Sequence, residues 1–155
     1  MYERILIPLD GSKTGESALT HVKKLLSKLS PKVKTEITLL QVISSLSYPI
    51  VAGEFSAAVP YTEKEIEITT KRAMNYLNKV GKFLRDEGFI VTTEVRIGDA
   101  YEEIIKAADE IKADLIAMST HGRSGLSRWA FGSVTEKVLR HGGDIPILAV
   151  RPSRD

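Results

Sequence analysis

Ala117-Met118-Ser119-Thr120-His121-Gly122-Arg123-Ser124-Gly125-Leu126-Ser127-Arg128-Trp129-Ala130-Phe131-Gly132-Ser133-Val134-Thr135-Glu136 carries the chain from an apolar run, through a loop of small residues, into a helix. Leu115 to Met118 reads as a strand. Ser133-x-x-Glu136 has capping-box spacing, so Ser133 is expected to open the helix. Strand, glycine-bearing loop and helix start form an arrangement suited to phosphate. Glycine lets backbone N–H groups approach closely, and the helix start offers unpaired donors and a partial positive charge. The common phosphate fingerprints are absent. Gly11-Ser12-Lys13-Thr14 lacks the upstream glycine of a P-loop, and no Gly-x-Gly-x-x-Gly occurs.

Working outward, Ile5 to Leu9 is a nearly continuous apolar run, the pattern of a strand buried on both faces. Asp10-Gly11-Ser12 is turn chemistry. A helix is expected to follow, with Ala18, Val22, Leu25, Leu26 and Leu29 on one face, stopped by Ser30-Pro31. Glu36–Ile43 is the second expected strand, and Ser44 to Pro60 is expected to be a long loop. Thr62-x-x-Glu65 caps a long helix ending near Gly88, and Phe89–Ile97 is the third strand. Asp99-x-x-Glu102 caps another helix, Gly142-Gly143 closes the last one, and Ile145–Val150 is the fifth strand. Strand and helix alternate throughout. The expected fold is therefore α/β: one doubly wound, five-stranded parallel sheet with helices on both faces, in a single domain over 1–155.

Composition excludes several function classes. Without cysteine there is no disulfide, thiolate metal site or thiol nucleophile. A net charge of +2 is too small to single out nucleic acid or an acidic membrane as partner. No apolar run is long enough to span a bilayer, and Met1 to Arg4 lead straight into a strand, so neither membrane nor signal segment is expected and a cytoplasmic location is. His21, His121 and His141 lack the carboxylate spacing of a zinc site.

The spacing Ser119, two residues, Gly122, nine residues, Gly132, Ser133 resembles the nucleotide motif of the universal stress proteins. Their pattern is Gly, two residues, Gly, nine residues, Gly, then Ser or Thr. Ser119 stands where the family has its first glycine. The resemblance runs from Arg4-Ile5-Leu6-Ile7-Pro8-Leu9-Asp10-Gly11-Ser12 to Pro146-Ile147-Leu148-Ala149-Val150. It implies strand order 3-2-1-4-5, an adenine nucleotide alpha hydrolase-like sheet, ATP as ligand with Mg²⁺ or Mn²⁺ on the phosphates, and a homodimer paired through Ile147–Val150. In that order the crevice lies between strands 1 and 4, which places Pro8, Leu9, Asp10, Met118, Ser119, His121, Gly122, Arg123 and Gly132 around it.

The candidate roles differ in kind. Asp10 either accepts hydrogen bonds from a ribose or partners its own turn. Val42 ends a strand, and the resemblance implies that its backbone reads an adenine edge. Gly122, Gly132, Ser133, Val134 and Thr135 are the phosphate candidates. Arg123, Arg128 and Lys13 can neutralise charge or stay solvated; Trp129 and Phe131 anchor the loop. Three functions stay open: a nucleotide-binding regulatory protein, a slow nucleotide hydrolase, and a stress protein that dimerises without nucleotide. No arginine finger, P-loop lysine or clear base beyond Asp10 supports the second.

Overall fold

Ile5, Leu6 and Ile7 are fully buried, and alternate side chains of this run enter two separate cores. Only a strand with helices on both faces is buried in this way. The computed structural model describes residues 2–28, 34–121 and 132–152. Its elements are β1 (Arg4–Pro8), α1 (Ser17–Leu26), β2 (Glu36–Ile43), β3 (Ser47–Ala52), β4 (Phe55–Pro60), α2 (Glu63–Asp86), β5 (Ile90–Ile97), α3 (Ala100–Glu110), β6 (Leu115–Ser119), α4 (Ser133–His141) and β7 (Ile147–Val150).

The main sheet runs β5-β2-β1-β6-β7 with every pair parallel. Numbering its strands alone gives the expected 3-2-1-4-5. One core gathers Ile5, Ile7, Ile37, Leu39 and Ala117 against Ala18 and Val22 of α1 and Leu77 and Leu84 of α2. The other gathers Leu6, Leu40, Ile116 and Met118 against Ile104 and Ala108 of α3 and Val138 of α4. The helix starts follow their sequence signals at two points. Thr62 and Glu65 form a reciprocal capping box on α2, and Asp99 accepts from Glu102 N–H at 3.0 Å on α3.

The structure corrects the reading of 44–60. Instead of an open loop it holds an antiparallel hairpin, with Ala52 opposite Phe55 and Ser47 opposite Pro60. Gly53, at φ +63°, takes the first position of its two-residue turn, where a positive φ is required. Pro49 and Pro60 suggest a loop, but a proline is tolerated where its nitrogen faces away from the partner strand. Two bounds also shift. The last strand starts at Ile147, because Pro146 has no N–H to donate, although its carbonyl still accepts from Ile116 N–H at 3.0 Å. α1 ends at Leu26; Leu29 and the expected stop at Ser30-Pro31 lie outside the described residues. Among the described residues, no helix is long and apolar enough to cross a membrane.

Asp114 pins the sheet's central strands together at their start. Its carboxylate accepts from Arg4 N–H at 2.8 Å and Glu3 N–H at 2.9 Å, while its own N–H donates to Arg4 C=O at 2.8 Å. The two backbone donors, Arg4 first, hold the carboxyl below its ordinary range. A carboxyl with a depressed folded pKa stabilises above its unfolded value, about 3.9, and loses that contribution as pH falls through the folded one. Asp114→Ala is expected to destabilise the fold at pH 7 by on the order of 1 kcal/mol, the half-exposed setting discounting the charged bonds. In urea titrations the difference between variant and wild type should shrink as pH drops below about 4.

Candidate functional site

β1 and β6 lie side by side, but the chain leaving β1 goes to α1 on one face and the chain leaving β6 goes to α4 on the other. At such a reversal the carboxyl ends of the strands border a crevice. A cleft of about 300 Å³ opens there, lined by Pro8, Leu9, Asp10, Val42, Met118, Ser119, His121, Gly132, Ser133, Val134 and Thr135, with Gly15, Ser44, Ala100 and Ile104. This is the lower end of the size range of small-molecule sites, roughly 300–1,000 Å³. Apart from Lys13, every described residue that the sequence nominated for nucleotide is in this lining. Gly122 and Arg123 lie outside the described residues, as do Arg128, Trp129 and Phe131. Lys13 is not in the cleft; it pairs with Glu16 at 3.2 Å on the surface and borders a separate depression of about 700 Å³ between α1 and α2.

Main-chain bonds hold the cleft's rim. Thr120 N–H donates to Val150 C=O at 2.8 Å, and Gly132 N–H donates to Thr120 C=O at 2.8 Å. The chain therefore leaves the sheet and returns to it at one residue. Thr135 Oγ1 donates to Ser119 C=O at 2.9 Å, fixing the first turn of α4 over the end of β6. Thr120 and Thr135 are both buried, so these bonds are shielded from water.

The expected capping box at Ser133 is corrected. Gly132 is the cap residue: its carbonyl accepts from Glu136 N–H at 2.9 Å, and no side chain caps the helix. Ser133 is the first helical residue, so capping does not occupy its hydroxyl. The opening turn of α4 thus presents N–H groups to the cleft without a side-chain acceptor. Gly132 has an ordinary φ of −59°, and an added Cβ would meet nothing nearer than Thr120 C=O at 3.5 Å. The glycine is not needed for the backbone; it leaves space beside those donors.

Val42 exposes its main chain in the same place. Leu9 N–H donates to Leu40 C=O on the β1 side of β2, whereas Gly98 N–H donates to Ile43 C=O on the β5 side. Alternation along a parallel strand turns both Val42 groups toward β1, beyond the point where β1 has ended at Pro8. A donor and an acceptor from one residue therefore face the cleft next to the apolar side chains of Pro8, Leu9, Met118 and Ile104.

Asp10 forms the turn that its sequence allowed. Its Oδ1 accepts from Ser12 N–H at 2.9 Å and Ser12 Oγ at 2.6 Å. It is the one carboxylate among the described lining residues, which include no lysine or arginine. Ser119 keeps strand geometry, with no positive φ, and its Oγ accepts from Ser17 Oγ at 3.1 Å and His121 N–H at 3.3 Å. His121 Nδ1 lies 2.8 Å from Thr120 Oγ1, and no described nucleophile and base pair accompanies it. Among the described residues, no cluster of His, Asp or Glu is fit to hold a metal ion.

Sequence reasoning missed Gly15, Ser44, Ala100 and Ile104. The last two come from the start of α3, which carries no ligand motif. Gly15 had a signal only in hindsight: an added Cβ would stand 2.5 Å from Asp10 Oδ1.

A family model described as the universal stress protein family matches residues 1–151. Universal stress protein MJ0577 of Methanocaldococcus jannaschii is 33% identical, over 97% of this chain and 96% of its own length. The solved structure of MJ0577 aligns with a TM-score of 0.76 at 32% identity, covering 100% of this chain and 99% of that one. An Arabidopsis thaliana family protein solved with AMP bound aligns at a TM-score of 0.65 and 15% identity, over 99% of this chain and 94% of its own. A universal stress protein solved in complex with cAMP aligns at 0.64 and 18%, over 98% of each chain. At these last two identities the likeness is one of fold.

The crowding at Gly15 is open to test. Gly15→Ala is expected to displace the Asp10 carboxylate and destabilise the protein by about 1–3 kcal/mol, as overpacking does. Chemical denaturation measures it; an unchanged midpoint would mean that the turn has room to give.

Proposed function

We propose that this chain, which belongs to the universal stress protein family, is a cytoplasmic regulatory protein that binds ATP, with hydrolysis at most slow. The observation that carries the proposal is the convergence, in one cleft, of the outward-facing Val42 main chain with the start of α4, which no side chain caps. These match the two ends of a nucleotide. The Val42 N–H and C=O suit the polar edge of an adenine, whose flat face would rest on Pro8, Leu9 and Met118. The N–H groups of Ser133, Val134 and Thr135, with the space left at Gly132, suit phosphate oxygens. Asp10 would accept from ribose hydroxyls, charge-assisted, while keeping Ser12 on its other bonds. Ser119 would border the ribose, and the proposal extends to His121, Gly122 and Arg123 along the loop. Mg²⁺ or Mn²⁺ would be held by the phosphates themselves. That AMP and cAMP are named in two structures of the same fold supports an adenine nucleotide as the ligand class.

The same reading includes a homodimer. β7 is the sheet's edge strand, its Ile147–Val150 run is apolar, and Pro146 lies just before the paired residues. An apolar edge of this kind is an association site unless covered, and pairing with its own copy across a two-fold axis would cover it.

Two substitutions test the site. Gly132→Val is expected to abolish the heat of ATP·Mg²⁺ binding in calorimetry while leaving thermal unfolding nearly unchanged, because the added side chain fills cleft space and touches little protein. Normal binding by that variant would remove the cleft from consideration. Ser119→Gly is expected to change the dissociation constant by less than about tenfold, or 1.4 kcal/mol, since Ser119 is unstrained. A wild type that binds no ATP, rescued by Ser119→Gly, would favour the dimer that works without nucleotide.

A further inference from the structure

Among the elements, the β3–β4 hairpin is the part that packs mainly on itself. Four of its apolar side chains stand in solvent: Tyr48 at 40%, Ile50 at 45%, Phe55 at 64% and Val51 at 70% exposure. Its base is held where Tyr61 N–H donates to Leu46 C=O at 2.7 Å and Tyr48 stacks on Tyr61 at 5.9 Å. A two-stranded hairpin is marginal in water, and a third strand is the usual remedy.

The register tells which edge is open. The Gly53-Glu54 turn is flanked by Ala52 and Phe55. A pair flanking a two-residue turn exchanges hydrogen bonds, and bonded pairs then alternate along the ladder. Ile50–Ala57 and Tyr48–Val59 are therefore bonded pairs. The backbone groups of Ser47, Pro49 and Val51 point away from β4, and those of Ser56, Ala58 and Pro60 point away from β3. Pro49 deletes the central outward donor of β3 and closes that edge. On β4 the outward donors of Ser56 and Ala58 are intact, and Pro60 falls only at the strand's end.

We propose that β4 pairs antiparallel with β4 of a second copy of this chain, across a two-fold axis at Ala57. Ser56 of each copy then faces Ala58 of the other, so both outward donors of each β4 are used. Ala57 faces its own counterpart as a close non-bonded pair, where a small side chain fits. Phe55 faces Val59, an aromatic against a β-branched residue, which is a favourable cross-strand pair. Glu54 falls opposite Pro60, so no like charges meet. The contact is distinct from the β7 edge and does not depend on nucleotide. A contact confined to one strand from each copy is slight beside the roughly 800 Å² per partner of a standard interface, so the association is expected to be weak and concentration-dependent.

The chain has no cysteine, so a single introduced thiol reports alone. A non-bonded antiparallel pair has Cα atoms about 4.5 Å apart, inside the disulfide range of about 4.4–6.8 Å. Under copper–phenanthroline oxidation, Ala57→Cys is expected to form a covalent dimer roughly tenfold faster than Val51→Cys, because a held pair raises the effective concentration. Val51 is the fair control, being highly exposed but on the closed edge. Ala58→Pro removes an outward donor without touching a β3–β4 bond. In sedimentation equilibrium it should abolish the rise of mass beyond that of the β7-paired dimer which the wild type is expected to show with concentration, with circular dichroism unchanged. Equal cross-linking rates at the two positions, a wild-type mass flat from micromolar to millimolar, or association by Ala58→Pro equal to that of the wild type would each overturn the proposal.

Discussion

The β1–β6 ladder is short, and the cleft exists because of where it stops. β1 pairs with β2 along its whole length, from Arg4 opposite Glu36 to Pro8 opposite Leu40. With β6 the register reaches only Ile5 opposite Leu115 and Leu6 opposite Ile116. Beyond that point each strand delivers the chain to a helix on a different face. Asp114 holds the opposite end of the same pair of strands together. The strands are therefore clamped at their start and open at their carboxyl ends, and the turn at Asp10 and the first turn of α4 are carried on the two sides of the opening.

That opening is electrically polarised. Asp10 stands at one side, and the start of α4, equivalent to roughly half a positive charge, at the other. Among the described lining residues no other aspartate or glutamate and no lysine or arginine is present. A ligand with neutral hydroxyls toward Asp10 and anionic oxygens toward α4 would sit with this field, and the reverse orientation would sit against it. Orientation here depends on backbone dipoles and one carboxylate, not on a cluster of cationic side chains.

How much of this was legible in the sequence depends on which interactions are local. Ile5–Ile7 and Leu115–Met118 are apolar on every residue, and only a strand buried on both faces uses such a run, so the parallel sheet could be read directly. Asp10, Val42 and Gly132 could be placed because they end or begin elements and the topology determines where such ends meet. The hairpin was hidden by Pro49 and Pro60, which mark loops in composition yet sit at outward ladder positions where no donor is needed. The start of α4 was misjudged by one residue. Ser133-x-x-Glu136 has cap spacing, but Gly132 beside it takes the non-helical backbone, and spacing alone cannot separate two adjacent small residues. Gly15 and the start of α3 were invisible because what places them at the cleft is tertiary approach, with no motif of their own.

The bond from Gly132 N–H to Thr120 C=O has an architectural consequence. Departure and return points of the intervening segment are tied to each other and, through Thr120, to the last strand. Such a segment is an interchangeable cassette: its length and sequence can vary while its ends stay at the same place, and doubling a flexible loop costs only about 0.6 kcal/mol in closure entropy. A scaffold built in this way can diversify what it recognises at one point of its surface without renegotiating its core.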